Sequence, residues 1–183
     1  AMLSMENATN LTKQLLTFAK GGDPIKETLS IREVLIEMAQ FSLHGSNIRL
    51  QTNIDHDLWL IEADKGQLSQ VIGNLIINAQ QAMPMGGVII LAANNIETTQ
   101  GNYVKITIQD EGEGIDPDHL EQVFDPYFST KEKGSGLGLA STHSIIHKHN
   151  GTINVESIPG QGTTFIIHLP AAQNEAVTTT NHS

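Results

Sequence analysis

QLSQVIGNLIINAQQAM, residues 67–83, carries no charged side chain over a length of about four and a half helical turns. Leu68, Val71, Ile72, Leu75, Ile76, Ala79 and Met83 recur at spacings of three and four, the pattern of a helix face turned to a core. The opposite face holds Gln67, Gln70, Asn74, Asn78 and Gln81, all amides. A solvated helix face ordinarily carries Glu and Lys, and asparagine is a poor helix former, so two asparagines one turn apart need a reason. One reading is that Asn74 and Asn78 point into a pocket and offer carbonyl oxygens to a hard cation such as Mg²⁺. The other is a lightly solvated polar face, and this helix alone leaves both open.

The segments around this helix alternate between the two periodicities. Residues 4–20 read as an amphipathic helix with Leu11, Leu15, Phe18 and Ala19 on one side. Gly21, Gly22, Asp23 and Pro24 break it and mark a linker at about 21–25. A second helix is expected from Ser30 to about Leu43, with Ser30 as N-cap and Glu33 completing a capping box. Strands are expected at 47–54 and 58–61, joined as a hairpin through Asp55-His56-Asp57. Asp64 opens the amide helix, with Gln67 three residues on, and Pro84, Met85, Gly86 and Gly87 stop it. Strands follow at about 88–96 and 103–109 around a turn at Gln100-Gly101-Asn102. Residues 111–136 are irregular, with one helical turn at 117–122. A helix at 137–149 and a hairpin of 152–157 with 163–169 complete the core. The polar stretch 171–183 reads as a disordered tail. Helices mixed with antiparallel-type strands, without βαβ regularity, predict an α/β sandwich.

Composition narrows the partners. A formal net charge of -10 excludes a broad nucleic-acid surface, which needs clustered Lys and Arg, and disfavours contact with an anionic membrane. There is no cysteine, so disulfides and thiolate metal sites are excluded and a reducing cytoplasm is the simpler compartment. No stretch resembles a signal peptide or a spanning run of about 20 apolar residues. An acidic protein that binds a polyanion must then use backbone amides, a metal or a few placed cations.

Two further stretches offer that chemistry. In 103–110, Val104, Ile106 and Ile108 alternate with Lys105, Thr107 and Gln109, so Asp110 falls on the apolar parity and points inward as the strand ends. An inward carboxylate needs hydrogen-bond donors. Asp110-Glu111-Gly112-Glu113-Gly114 then lets the chain turn sharply beside a ligand. An ionised Asp accepts only, which suits an exocyclic amine; an ordinary Asp-Gly turn is the competing reading. Lys133-Gly134-Ser135-Gly136-Leu137-Gly138-Leu139 places three glycines before a helix. Free backbone amides at a helix N-terminus form an anion site, to which Lys131 and Lys133 add point charges; a flexible surface loop is the competing reading. The spacing fits neither the dinucleotide fingerprint nor the P-loop.

Taken in order, the asparagine helix, Asp-x-Gly-x-Gly, Phe-Asp-Pro-Tyr-Phe (124–128) and Gly-Ser-Gly-Leu-Gly-Leu (134–139) resemble the catalytic, ATP-binding domain of sensor histidine kinases, a family shared with gyrase, Hsp90 and MutL. The resemblance covers about residues 25–170. It implies a Bergerat-type two-layer α/β sandwich, about three helices on a mixed, mostly antiparallel sheet. It divides the chain into the end of a dimerisation hairpin helix with its linker (1–22), the catalytic domain (23–170) and the tail (171–183). The implied cofactors are ATP and Mg²⁺. By resemblance Asn78 ligates Mg²⁺ with Asn74 beside it, and Asp110 recognises the adenine amine. Gly112, Gly114 and Ile115 shape the base pocket, and Phe124 and Phe128, with the chain through Lys131 and Lys133, form a lid. Gly134, Ser135, Gly136, Leu137, Gly138 and Leu139 line the phosphates, and Gly160, Gly162 and Thr163 match the last glycine-threonine box. Phe124 and Phe128 also read as plain core packing. Many members carry a lysine three residues after the metal-binding Asn; here it is Gln81, which leaves Lys131 and Lys133 to face the γ-phosphate.

The hydrolysing relatives place a glutamate base four residues before that Asn. Here the position is Asn74, which cannot act as a base, so phosphoryl transfer to an outside acceptor is favoured over hydrolysis. The family's acceptor histidine lies on a helix before an acidic residue. Of the eight histidines only His56 has that neighbour, and it reads as a solvated turn residue, the others as surface or helix-face residues. The expectation is a protein-histidine kinase catalytic domain that does not phosphorylate itself. Its implied partners are its own dimerisation domain, in a homodimer, and a response regulator receiver domain. No contact with nucleic acid or membrane is expected, and the location is cytoplasmic, free or as part of a membrane-bound sensor. The alternatives are an anti-sigma-type protein-serine kinase, a non-catalytic partner-binding module and an ATP-hydrolysing clamp.

Overall fold

A computed structural model describes residues 22–126 and 138–172. The elements run β1 (Glu27–Leu29), α1 (Ile31–Leu43), β2 (Ile48–Ile54), β3 (Ile61–Ala63), α2 (Lys65–Gln81), β4 (Gly87–Thr98) and β5 (Gly101–Asp110), then a 3-10 helix (Pro117–Gln122), α3 (Gly138–Lys148), β6 (Thr152–Ile158) and β7 (Gly162–Pro170). Five strands form one sheet in the order β2-β4-β5-β7-β6, and β1 pairs with β3 in a small separate sheet. Only β2 and β4 are parallel in the main sheet, so it is mixed and mostly antiparallel.

The helix layer follows from the periodicities. Ser30 caps α1 by accepting from the Arg32 N–H at 3.4 Å, and α1 buries Ile31, Val34, Leu35, Ala39 and Leu43. The apolar face of α2 goes under completely: Leu68, Val71, Ile72, Leu75, Ile76 and Ala79 are all buried. They meet Ile89, Leu91, Val104, Ile106, Ile108, Phe165 and Ile167 of the sheet in one core. Gly73 lets α1 approach α2, since a Cβ there would lie 3.2 Å from Met38 Cε.

The expected hairpin of 47–54 with 58–61 does not form. β2 pairs parallel with β4, Ile48 opposite Gly87 through Ile54 opposite Ala93, while β3 pairs antiparallel with β1. Local patterning finds a strand but not its partner, and long-range donors decide here. Arg32 Nη1 donates to the Ile54 carbonyl at 2.8 Å, and Asp55 N–H extends the parallel ladder to the Ala93 carbonyl at 3.0 Å. Asn95 holds the following loop, accepting from Trp59 N–H at 2.9 Å and donating to the Asp57 carbonyl at 2.8 Å. The turn between β4 and β5 falls at Thr99-Gln100, slightly earlier than expected, because Thr98 already pairs with Gly101.

The expected tail begins too early at residue 171. Ala171 pairs with Ile61 and donates to the Asn102 carbonyl at 2.9 Å; Ala172 donates to the Leu60 carbonyl at 2.7 Å and is buried. Two alanines look featureless in sequence, but two backbone bonds fasten them. Among the described residues, no helix is long and apolar enough to cross a membrane. The helix expected at 4–20 and the remainder of the tail lie outside the described residues.

Candidate functional site

The site is organised by α2. Asp64 caps it, its Oδ1 accepting from Gln67 N–H at 3.1 Å. The Gln67 side chain does not complete the box; its Nε2 donates to the Gly22 carbonyl at 2.7 Å. Asn74 and Asn78, one turn apart, are half-buried on one side of α2. Asn74 Nδ2 donates to the Gly138 carbonyl at 3.2 Å, so the start of α3 sits against the middle of the amide stripe. Thr142 Oγ1 donates to the same carbonyl at 2.8 Å.

Asp110 is 4% exposed, as its strand parity requires. Its Oδ1 accepts from Gly112 N–H at 2.9 Å and from Thr163 N–H at 3.2 Å. These two donors compensate a buried carboxylate that would otherwise be costly. The loop after Asp110 is clamped to the β6–β7 hairpin. Gly160 N–H donates to the Glu113 carbonyl at 2.7 Å and Ile115 N–H to Ser157 Oγ at 2.7 Å. Ser157 Oγ also shares a 2.9 Å bond with Thr163 Oγ1. On the other side, Glu111 Oε1 accepts from Val88 N–H at 3.1 Å.

Gly112 and Gly162 have a packing role in the fold. A Cβ on Gly112 would lie 2.5 Å from the Ala82 carbonyl oxygen, at the end of α2. One on Gly162, at φ +130, would lie 2.1 Å from the Asp110 carbonyl oxygen. Both glycines therefore permit backbone to press on backbone, which fixes the Asp110 loop between α2 and β7.

Three motifs thus meet along one helix: Gly112 at Ala82, Asn78 one turn before it, and Gly138 at Asn74. The eight steps from residue 74 to residue 82 span about 12 Å. Phe124 packs its ring at 5.3 Å from His143 and 6.3 Å from Phe165, joining the core. Leu139 is half-buried against that core. Phe128, Lys131, Lys133, Gly134, Ser135, Gly136 and Leu137 lie outside the described residues.

A metal at Asn74 and Asn78 would find neutral, hard amide oxygens. Among the described residues no group of three or more His, Asp or Glu is placed to hold an ion. That donor set is too weak for a resident ion and fits one that arrives bound to phosphate oxygens.

Reading the sequence alone missed three contributors. Glu111 and Ser157 act through partners distant in sequence. His149, expected as a surface or helix-face residue, is 3% exposed and accepts from Asp64 N–H through Nε2 at 3.0 Å. His56 is exposed, as a turn residue should be.

A family model described as histidine kinase-, DNA gyrase B- and HSP90-like ATPase matches residues 63–173. The sensor kinase CckA of Brucella abortus is 39% identical over 178 residues, which is 89% of this chain and 19% of that protein. The sensor histidine kinase ZraS of Escherichia coli O157:H7 is 45% identical over 168 residues, 90% of this chain and 36% of that protein. The chain thus spans only a fifth to about a third of these relatives. Among solved structures, full-length ShkA in complex with AMPPNP superposes with a TM-score of 0.79 at 27% identity, over 92% of this chain and 37% of that one. The catalytic domain of the histidine kinase ThkA, nucleotide free, gives 0.70 at 28% identity, over 80% of this chain and 95% of that one. With its site geometry and these likenesses together, the chain belongs to the histidine kinase-, DNA gyrase B- and HSP90-like ATPases, as the ATPase domain of a sensor histidine kinase.

Proposed function

We propose that the chain binds Mg-ATP along α2 and transfers its γ-phosphoryl group to a histidine on the dimerisation domain of a two-component sensor, for relay to a response regulator aspartate. The observation that carries this reading is the 12 Å row described above, about one nucleotide long. Asp110 stands near one end, where its carboxylate would accept the adenine amine. The N-terminus of α3 stands at the other, where backbone N–H groups and the helix dipole favour phosphate. Asn78, with Asn74, would hold Mg²⁺ between them, and the ion would neutralise charge on the phosphates. Asn74 supplies no base for water, and its amide is engaged with Gly138. The chain's own residues therefore bind and orient the nucleotide, and the nucleophile comes from outside. Phe128, Lys131 and Lys133 belong to this proposal as lid and phosphate contacts, as do Gly134, Ser135, Gly136 and Leu137.

Calorimetric titration with ADP and with ATP, each with and without Mg²⁺, tests the binding half. Supplying a separate dimerisation domain with labelled ATP tests transfer. Magnesium-sensitive binding, with label appearing on the added histidine and little free phosphate, is the expected result. Steady phosphate release without any acceptor would replace the kinase with a hydrolase. Absence of binding at millimolar nucleotide would replace it with a partner-binding module.

A further inference from the structure

His149 follows α3 directly and its side chain is almost wholly enclosed. Nδ1 lies 2.8 Å from the Ile145 carbonyl one turn back, and Nε2 lies 3.0 Å from the Asp64 backbone nitrogen. A carbonyl only accepts and an N–H only donates, so the ring carries its proton on Nδ1 and is neutral. One imidazole therefore joins the last turn of α3 to the capping residue of α2. At its other end α3 is joined to α2 by the bond from Asn74 to Gly138. The two ties are about 15 Å apart along α2 and about 16 Å apart along α3. Two helices pinned at matching separations move as one body, so a change at His149 is felt at Gly138.

We propose that His149 is a positioning residue for the nucleotide site: its neutral ring seats α3 on α2, which holds Gly138 against Asn74, and protonation releases that seat. The proposal rests on the nucleotide reading of α2 given above. A protonated ring would turn a second N–H toward the Asp64 N–H, and the two would have to part. Lys26 ahead of β1 and Glu62 on β3 line the groove beside the ring, and Lys26 and Asp64, the cap of α2, are the charges that act on it; Lys65 on α2 and Glu27 on β1 are the other charged residues of these elements. Lys148 precedes it on α3 and pairs with Asp23 at 3.8 Å. Burial holds the imidazole below its ordinary range and Lys26 adds to this, while the Ile145 carbonyl and Asp64 oppose it. Lys26, Glu62, Asn150, Pro170 and Ala171 share with His149 a groove of about 330 Å³, room for several waters, so protons can reach the ring.

The test is an NMR pH titration of the unmodified chain, following the imidazole nitrogens and the backbone amides of Asp64 and Gly138. In parallel, metal-free ADP affinity is measured between pH 7.5 and pH 5.5 for the unmodified chain and for His149→Gln. Glutamine keeps an acceptor for Asp64 and cannot titrate, so the nucleotide's own protonation cancels in the ratio. The expected result is an Nδ1–H tautomer whose titration moves both amides with one midpoint. ADP affinity should fall about fivefold more in the unmodified chain than in H149Q, the factor one net hydrogen bond is worth. A Gly138 amide that ignores the ring's titration, an Nε2–H tautomer, or identical affinity profiles would each overturn the proposal. The NMR arm needs no variant, so misfolding of H149Q does not shelter it. If neither chain binds ADP at any pH, the nucleotide reading fails, and the coupling of His149 to Gly138 is still decided by the NMR arm.

Discussion

Replacing Asp110 by asparagine and, separately, by alanine divides its work for the fold from its work for the ligand. Its Oδ1 takes two buried N–H groups, from Gly112 and Thr163. Alanine leaves both donors unmet in a position that is 4% exposed. At about 1–3 kcal/mol per orphaned group, partly relieved by relaxation of the loop, D110A should lose about 3 kcal/mol. For a chain of this size that lowers Tm by about 6–12 °C. Asparagine keeps the acceptor and loses only the charge assistance, about 1 kcal/mol or about 2–4 °C. For an adenine amine the order reverses in importance, because asparagine would present an N–H₂ where a carboxylate oxygen should accept. Losing a hydrogen bond to a charged group, about 1.5–3 kcal/mol, weakens ADP about 10- to 150-fold in D110N. Thermal melts and calorimetry on both variants read the two effects separately. ADP affinity retained in D110N would refute the adenine role; an unchanged Tm in D110A would refute the clamp on Gly112 and Thr163.

Gly112→Ala should be destabilised by about 1–3 kcal/mol and bind ADP at least about tenfold more weakly, because its Cβ would press on the Ala82 carbonyl; a urea melt and an ADP titration matching the parent would remove the close-contact argument. Asn78→Ala should weaken Mg-ATP far more than metal-free ATP, and equal losses under both conditions would count against a metal role. The depressed His149 has a signed consequence for stability. An unfolded ring at the ordinary value of 6.5 takes a proton before the folded ring does, so stability is fully present above about pH 6.5 and falls as pH drops toward the folded value. His168, lowered by its burial and by Lys105, acts in the same direction. Urea midpoints at pH 7.5 and pH 5.5 for the parent, H149Q and His168→Gln should show each variant flattening part of the slope, and an unchanged slope in H149Q would deny that His149 is held neutral.

Much of the candidate site is written locally. Two asparagines on an uncharged helix face and an aspartate on the buried parity of a strand are patterns that each span only about seven residues, and the fold half-buries the two amides on α2 and buries the carboxylate. Asp110 is buried as its alternation with Val104, Ile106 and Ile108 demands. Asn74 does meet Gly138, although the sequence gives only their types and not their meeting. The helix boundaries were legible for the same reason: Ser30 and Asp64 cap the turns that follow them, within three residues.

What the chain alone could not display is every pairing whose partner is far away. The strand at 48–54 has the alternation of a hairpin arm, and its true partner is β4, found only once Arg32 and Asn95 hold the intervening loop aside. Gly112 and Gly162 show in sequence only as motif glycines, and the backbone each presses on appears only in the fold. His149 shows no pattern at all, since its two partners are one turn behind it and 85 residues before it. Periodicity and capping act over one or two turns, so sequence determines the elements and the chemical types they present. Backbone pairing and close approach act across the fold, so tertiary structure alone decides which of those groups stand together.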